Sequence, residues 1–297
     1  MTSFNLTLLG TGTPTPLTHR AGSSCLVTLD KEMLLFDCGP GCVRRLLEKG
    51  VSPTRVTSLF LTHLHYDHCV DYGYLVMVRW DQGAGQIPDL EVYGPKPAAR
   101  MTELLFGETG VFAPDLAART QHPGSAFFYE VRGGVLPRVR PQPVVTEIAH
   151  GAVVEHGAWR VKTVEVAHCQ PYLISLAYRL DTPHRSIVFG GDMAPTDSLT
   201  ELAEGADVLV HMCHFINGVV TDPRLTSCCS GHLDAARTAR EANVNTLVLA
   251  HTTEQLERPG IRERVLYEAG KIFDGPIIFG EDLLDIPLEG IEPEAIR

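Results

Sequence analysis

No apolar run in this chain of 297 residues approaches the roughly 18 residues that a membrane-spanning helix needs. A helical membrane protein is therefore not expected. The N-terminal stretch MTSFNLTLLGTGTP has no basic segment and no small-residue cleavage site. It reads as a strand running into a Gly/Thr/Pro turn, and a cytoplasmic location follows by default. The eight cysteines (Cys25, Cys38, Cys42, Cys69, Cys169, Cys213, Cys228 and Cys229) contain no C-x-x-C pair, so a zinc ribbon has no support. Inside a reducing cell they are expected to stay free, mostly as small buried side chains. Positive charge is also short. Lys and Arg number 25 against 36 Asp and Glu, a formal charge of −11. An acidic surface repels phosphate backbones, so nucleic acid is not the expected partner, a local basic groove aside.

What remains is the composition of a folded domain. Hydrophobic residues make up 44% and charged residues 21%, which argues against disorder. The length suffices for a large core without disulfide or metal staples, and one domain over 1–297 is expected. Short apolar stretches bounded by turn residues predict strands at Phe4–Leu9, Leu26–Leu29, Met33–Phe36, Val56–Leu61 and Leu90–Tyr93. A second run of strands follows at Val145–Ala149, Trp159–Ala167, Tyr172–Leu180 and Ser186–Phe189. The last two are joined by a polar stretch, 181–185, that suits a hairpin. Asp207–Val210 and Thr246–Leu249 read as buried strands. Helices are predicted at Pro40–Lys49, at the alanine-rich Asp234–Ala242, and at Ile261–Ile272. Strands and helices mix from end to end, which defines an α/β protein. Residues 107–145 stand apart, rich in Gly and Pro and without clear periodicity. A segment this long is expected to be a lid, a binding loop, a partner contact or a cover for the core edge.

The strongest chemical signal is Thr62-His63-Leu64-His65-Tyr66-Asp67-His68, a loop of the form HxHxDH that begins where a strand ends. Burying so many imidazoles and a carboxylate without partners would cost several kcal/mol. Dividing them between two cations removes that cost. Three more ionisable residues each end an apolar strand: His168, Asp192 and His251. In α/β sheets, ligands collect at such strand ends. Together these residues make a complete set for two metals.

The chain resembles the metallo-β-lactamase superfamily, and most closely its ribonuclease Z and arylsulfatase branch. The residues that carry the resemblance are Gly10-Thr11-Gly12-Thr13-Pro14, Asp37-Cys38-Gly39-Pro40-Gly41, the HxHxDH loop, His168, Gly191-Asp192, Ala206–His211 and Thr246–His251. The resemblance implies an αββα sandwich of two mixed sheets flanked by helices, with 107–145 as an insertion. It implies one metal held by His63, His65 and His168, a second held by Asp67, His68 and His251, and Asp192 shared between them. Two zinc ions are expected, with iron and manganese left open by the mixed N/O donors. Asp37 resembles an acidic residue that buttresses the metal loop from behind, the kind of partner metal-bound histidines need. The family also implies a homodimer.

Two metals about 3.5–4 Å apart can bridge a hydroxide and polarise an electrophile, so hydrolysis is the expected reaction. Asp67 is expected to orient the nucleophile. His232, in Ser230-Gly231-His232-Leu233-Asp234, resembles the family's general-acid histidine. The resemblance breaks at two places. A glutamate that pairs with that histidine is replaced by Met212, leaving His214 as a substitute or a substrate contact. No room for an RNA-binding arm exists between His168 and Asp192. Tyr66 flanks the metal loop and, with Tyr72 and aromatics of the insertion, hints at an organic ligand. These departures favour a dinuclear hydrolase of a small substrate: a sulfate, phosphodiester, lactone, amide or other ester, or a chlorinated aromatic. A ribonuclease Z-like RNA 3′-processing endonuclease is the first alternative. A non-hydrolytic redox or structural metalloprotein is the second.

Overall fold

The computed structural model describes residues 4–183, 185–286 and 288. Short apolar stretches in the first half of the chain yield β1 (Phe4–Gly10), β2 (Ser24–Leu29), β3 (Glu32–Phe36), β4 (Ser58–Phe60), β5 (Glu91–Gly94) and β6 (Val144–Glu147). The second half supplies β7 (Val153–His156), β8 (Trp159–Val166), β9 (Ser175–Asp181), β10 (Ser186–Phe189), β11 (Val208–Met212), β12 (Thr246–Ala250) and β13 (Ile277–Phe279). A last strand, β14 (Leu284–Ile286), returns to pair with β1. The result is two seven-stranded sheets, ordered β14-β1-β2-β3-β4-β5-β6 and β13-β12-β11-β10-β9-β8-β7. Both are mixed: β1–β3 pair antiparallel and β3–β6 parallel, while β10–β13 pair parallel and β7–β10 antiparallel. This is the expected sandwich. Between the sheets lies one apolar layer, in which Phe36 stacks on Phe60 and Phe189 at centroid distances of 5.0 and 3.9 Å.

The helices are α1 (Cys42–Glu48), α2 (Tyr66–Cys69), α3 (Tyr72–Gly83), α4 (Ala98–Phe106), α5 (Ala113–Gln121), α6 (Pro123–Val131), α7 (Asp197–Leu202), α8 (Pro223–Thr226), α9 (His232–Glu241) and α10 (Ile261–Ala269). They cover the outer faces in two further apolar clusters. Among the described residues, no helix is long and apolar enough to cross a membrane. The hairpin between β9 and β10 forms as the sequence suggests, with Ser186 opposite Asp181. His184 of that turn lies outside the described residues.

The segment 107–145 is more ordered than its composition suggests. It folds into α5 and α6, each opened by a proline in its first turn. Three of its arginines converge on one carboxylate of α3. Arg119, Arg132 and Arg138 reach Asp81 at 2.9, 2.8 and 2.9 Å. The buried Arg138 guanidinium also sits 3.7 Å from the centroid of the Trp80 ring and 4.9 Å from that of Tyr129. These cations are thus committed to tying the insertion to α3. Burial alone would raise the Asp81 pKa, but the arginines, Arg138 first, hold it below the usual carboxylate value. A depressed folded pKa contributes stability above the unfolded value of about 3.9 and loses it as the pH falls through the folded value.

Two predictions follow from this packing. Asp81→Ala should destabilise the protein by about 2 kcal/mol, between exposed and buried ion-pair values, without changing its metal content. Denaturant unfolding beside metal quantification checks this, and parallel loss of metal would refute it. Gly39 and Gly22 press against the carbonyl oxygen of Asp67, where an added Cβ would overlap it. Gly39→Ala should therefore cost about 1–3 kcal/mol, typical of overpacking, and should lower metal content as well, because the Asp67 backbone must move.

Candidate metal centre

Each functional side chain sits where a strand runs out of ladder partners. β4 ends at Phe60, and the next residues turn sharply into α2, whose first turn carries Asp67 and His68. His168 follows β8, Asp192 follows β10, and His251 follows β12. Gly191 and His251 both take positive φ, +64° and +53°. At Gly191 a side chain would also crowd Thr62, so the approach of Asp192 to the metal loop requires glycine there.

The seven residues meet in two overlapping groups. His63, His65, His168 and Asp192 form one; Asp67, His68, Asp192 and His251 form the other. Ligand atoms within each lie inside 4.8 Å of one another. In the first group, His65 Nδ1 is 3.0 Å from His63 Nε2 and 3.3 Å from His168 Nε2, and His168 Nε2 is 3.8 Å from Asp192 Oδ2. In the second, His251 Nε2 lies 3.2 Å from Asp67 Oδ2 and 3.3 Å from Asp192 Oδ2, while His68 Nε2 is 3.3 Å from Asp192 Oδ1. A tetrahedral ion with ligands near 2.0–2.1 Å sets its donors about 3.3 Å apart, which these separations match. Asp67 Oδ1, His68 Nε2 and Asp192 Oδ1 are buried and carry no hydrogen bond among the described residues. Orphaned buried acceptors facing imidazole nitrogens fit cation ligands better than they fit a core.

Residues behind the ligands set which ring nitrogen is free. Asp37 Oδ2 accepts from His68 Nδ1 at 2.7 Å, and Asp37 Oδ1 accepts from the Thr62 backbone N–H at 2.8 Å. Asp37 is buried, with φ +61°, behind the loop where a buttress is expected. His168 Nδ1 donates to the Cys228 carbonyl at 2.6 Å. In both histidines the bond at Nδ1 leaves Nε2 for the metal. Sequence reasoning missed Thr62, whose hydroxyl lies 3.0 Å from His63 Nδ1 and 2.9 Å from Asp37 Oδ2. Its place directly before the HxHxDH loop was the available signal. His211, the end of the Ala206–His211 stretch and given no role from the sequence, lines a cavity of about 30 Å³ together with Asp37, Asp192 and His251. That volume suits a single water.

The electrostatics follow from burial and pairing. Burial pushes His63 well below the usual imidazole value, and neighbouring His68 adds to the effect. Burial opposes charge on His68 as well, but Asp192 and Asp37 outweigh it and hold its pKa well above that value. Asp192 stays far below the carboxylate range because His251 and His68 overcome its burial. Burial thus favours the neutral, ligating form of His63, whereas the carboxylates beside His68 favour the protonated form with which a metal ion competes.

The other expected site residues are placed as follows. Tyr66 is 56% exposed, and its hydroxyl donates to the Pro14 carbonyl at 2.7 Å. The ring of His214 stacks on His251 at 5.5 Å, and burial lowers its pKa to about 4. His232 is fully buried at the start of α9. Its Nδ1 accepts from the Asn217 backbone N–H at 3.3 Å, and its Nε2 donates to Glu268 at 2.9 Å. Among the described residues its bonds run to none of the seven ligands. The carboxylate that Met212 fails to supply is provided from α10 by Glu268, while Met212 packs into the core.

Sheets, strand-end ligands and their supports together define a metal-dependent hydrolase fold. The family model for the metallo-beta-lactamase superfamily matches residues 17–251, and the chain belongs to that superfamily. A ribonuclease Z of Mycolicibacterium gilvum is 32% identical over 287 residues, covering 94% of each chain. The metallo-beta-lactamase fold protein YhfI of Bacillus subtilis superposes with a TM-score of 0.72 at 20% identity, over 95% of this chain and 98% of its own. The short form of human tRNase Z gives 0.69 at 20% identity, over 96% and 99%. At that identity the two structures establish the fold alone. The expectation of a small-molecule substrate, with nucleic acid unlikely, does not stand beside full-length relatives named ribonuclease Z. It rested on Met212 at the glutamate position, on the lack of room for an arm between His168 and Asp192, and on net charge. Net charge is a sum over the whole surface, whereas binding a phosphate chain needs only local cations.

Three outcomes test this centre. His63→Ala and Asp192→Ala should each lose metal, read by elemental analysis, and activity with it. Asp37→Asn should weaken metal binding by about 10–100-fold, the usual effect of removing such a support. Zinc uptake should be accompanied by proton release, so that affinity falls as the pH drops. Calorimetry in buffers of different ionisation enthalpy would show it, and an affinity independent of pH would contradict competition between metal and protons for these imidazoles.

Proposed function

We propose that this chain is a metal-dependent endonuclease that hydrolyses RNA phosphodiester bonds, of the ribonuclease Z kind. The observation that carries the reading is the 32% identity with a ribonuclease Z along 94% of the chain, on a protein that retains all seven ligand-type residues. In this reading His63, His65 and His168 hold one ion, Asp67, His68 and His251 hold a second, and Asp192 serves both. Zinc suits the mixed imidazole and carboxylate donors. Two such ions, when bound, lower the pKa of a water molecule toward neutrality and offset negative charge on phosphoryl oxygens.

The chain's own residues supply position. Asp67 keeps Oδ2 beside His251, while Oδ1 bonds to no described residue. That free oxygen can accept from an attacking water and fix its direction. Asp37 and Thr62 hold the metal loop rigid, so little reorganisation is needed during reaction. His214, stacked on His251, is placed to meet the substrate beside the second group of ligands. The exposed Tyr66 ring, pinned through its hydroxyl to Pro14, offers a face on which an unpaired base can stack.

The test is turnover by metal-quantified protein on a structured RNA precursor with a 3′ extension, beside nitrophenyl sulfate, phosphodiester and carboxylic ester substrates. Cleavage of the RNA at a defined position, abolished by chelation and weakened steeply by salt, is the expected result. Turnover of a small ester with the RNA left intact would overturn the reading. His232→Ala should slow good and poor leaving groups alike, because both its ring nitrogens are engaged by Asn217 and Glu268. A loss confined to poor leaving groups would restore it as proton donor.

A further inference from the structure

A second group of ligand-type side chains lies beside the metal centre and takes no part in it. Cys169 directly follows the ligand His168 and takes a φ of +36°. Cys228 and Cys229 belong to the loop between α8 and α9. The Sγ atoms of Cys169 and Cys228 lie within 4.8 Å of each other and of a ring nitrogen of His168. Two sulfurs from two separate loops thus meet at one place, with the Sγ of the buried Cys229 3.8 Å behind that of Cys228. Cys169 and Cys228 are partly open to solvent, whereas Cys25, Cys38, Cys42, Cys69, Cys213 and Cys229 are buried.

His168 cannot easily complete a third corner. Its Nδ1 is spent on the Cys228 carbonyl, and its Nε2 faces His65 and Asp192. The available donor set is therefore two sulfurs and no nitrogen. Structural zinc takes four ligands, while soft thiolate donors select monovalent copper. A two-sulfur set suits a cation that accepts low coordination.

We propose that Cys169 and Cys228 form a binding site for one thiophilic monovalent cation of the Cu(I) type, separate from the dinuclear centre. Binding involves no change of oxidation state: the thiols release their protons to solvent as copper–sulfur bonds form. The inference does not depend on the substrate. Its link to the metal centre is Cys228, whose carbonyl holds His168 in its ligating orientation.

The experiment titrates zinc-loaded enzyme, reduced and under anaerobic conditions, with Cu(I) alone. It follows the ultraviolet copper–thiolate absorption and competition with a chromogenic Cu(I) chelator. One equivalent of copper per chain is expected, with the thiolate absorption saturating at that point and zinc retained. Copper that merely displaced zinc from imidazole and carboxylate donors would give no thiolate absorption and would overturn the proposal. The Cys169→Ser/Cys228→Ser variant should lose the absorption; the same amplitude in that variant would also overturn it. Zinc content reports whether the variant is folded. Should it fail to hold zinc, Cys169→Ser alone, at a partly exposed position, decides by the same loss or persistence.

Discussion

Burial of negative charge among imidazoles is the constraint on which this molecule turns. Asp37, Asp67 and Asp192 are all buried, with five histidines around them. Removing such groups from water is costly unless charge and hydrogen bonds compensate. Asp37 is compensated by Thr62 and His68 within the protein. Asp67 and Asp192 are only partly so, and each leaves one oxygen without a hydrogen bond among the described residues. The strand ends, the positive-φ residues and the close glycine turns all hold this unbalanced cluster in place.

The two sheets explain how such a cluster can be rigid. β4, β10 and β12 sit in the interior of their sheets, so each delivers its terminal residue from a fully paired strand. The aromatic layer of Phe36, Phe60 and Phe189 joins the sheets just beneath. α2 then rests on the glycines of the β2 and β3 turns, and the Cys38 backbone N–H donates to the His68 carbonyl at 2.7 Å. Position is what a hydrolytic centre requires of its protein, because the metals carry the hard chemistry.

The insertion illustrates how composition can mislead. Its Gly and Pro content hid two helices. In the fold, Asp81 gathers three of its arginines, so that they bind the protein to itself. The acidic balance of the chain misled in the opposite direction. Net charge weighed against nucleic acid, yet the full-length relatives are named ribonuclease Z. Neither composition nor net charge reports where charges stand relative to one another.

The candidate ligands were legible in the sequence because strand ends and the HxHxDH spacing are local features, and the family resemblance grouped them. Each ligand belongs to a short apolar run followed by an ionisable residue, and a run of five residues fixes where its end points. The strands were legible for the same reason, and most lie within two residues of their predicted bounds. What required the tertiary structure was every partnership across the chain. Glu268 meets His232 across 36 residues, and the Cys228 carbonyl meets His168 across 60. Asp81 meets Arg138 across 57. Such pairs depend on how helices pack over sheets, and no spacing in the sequence encodes them. Local pattern determined which residues could bind metal; packing decided which atoms of those residues are free to do so.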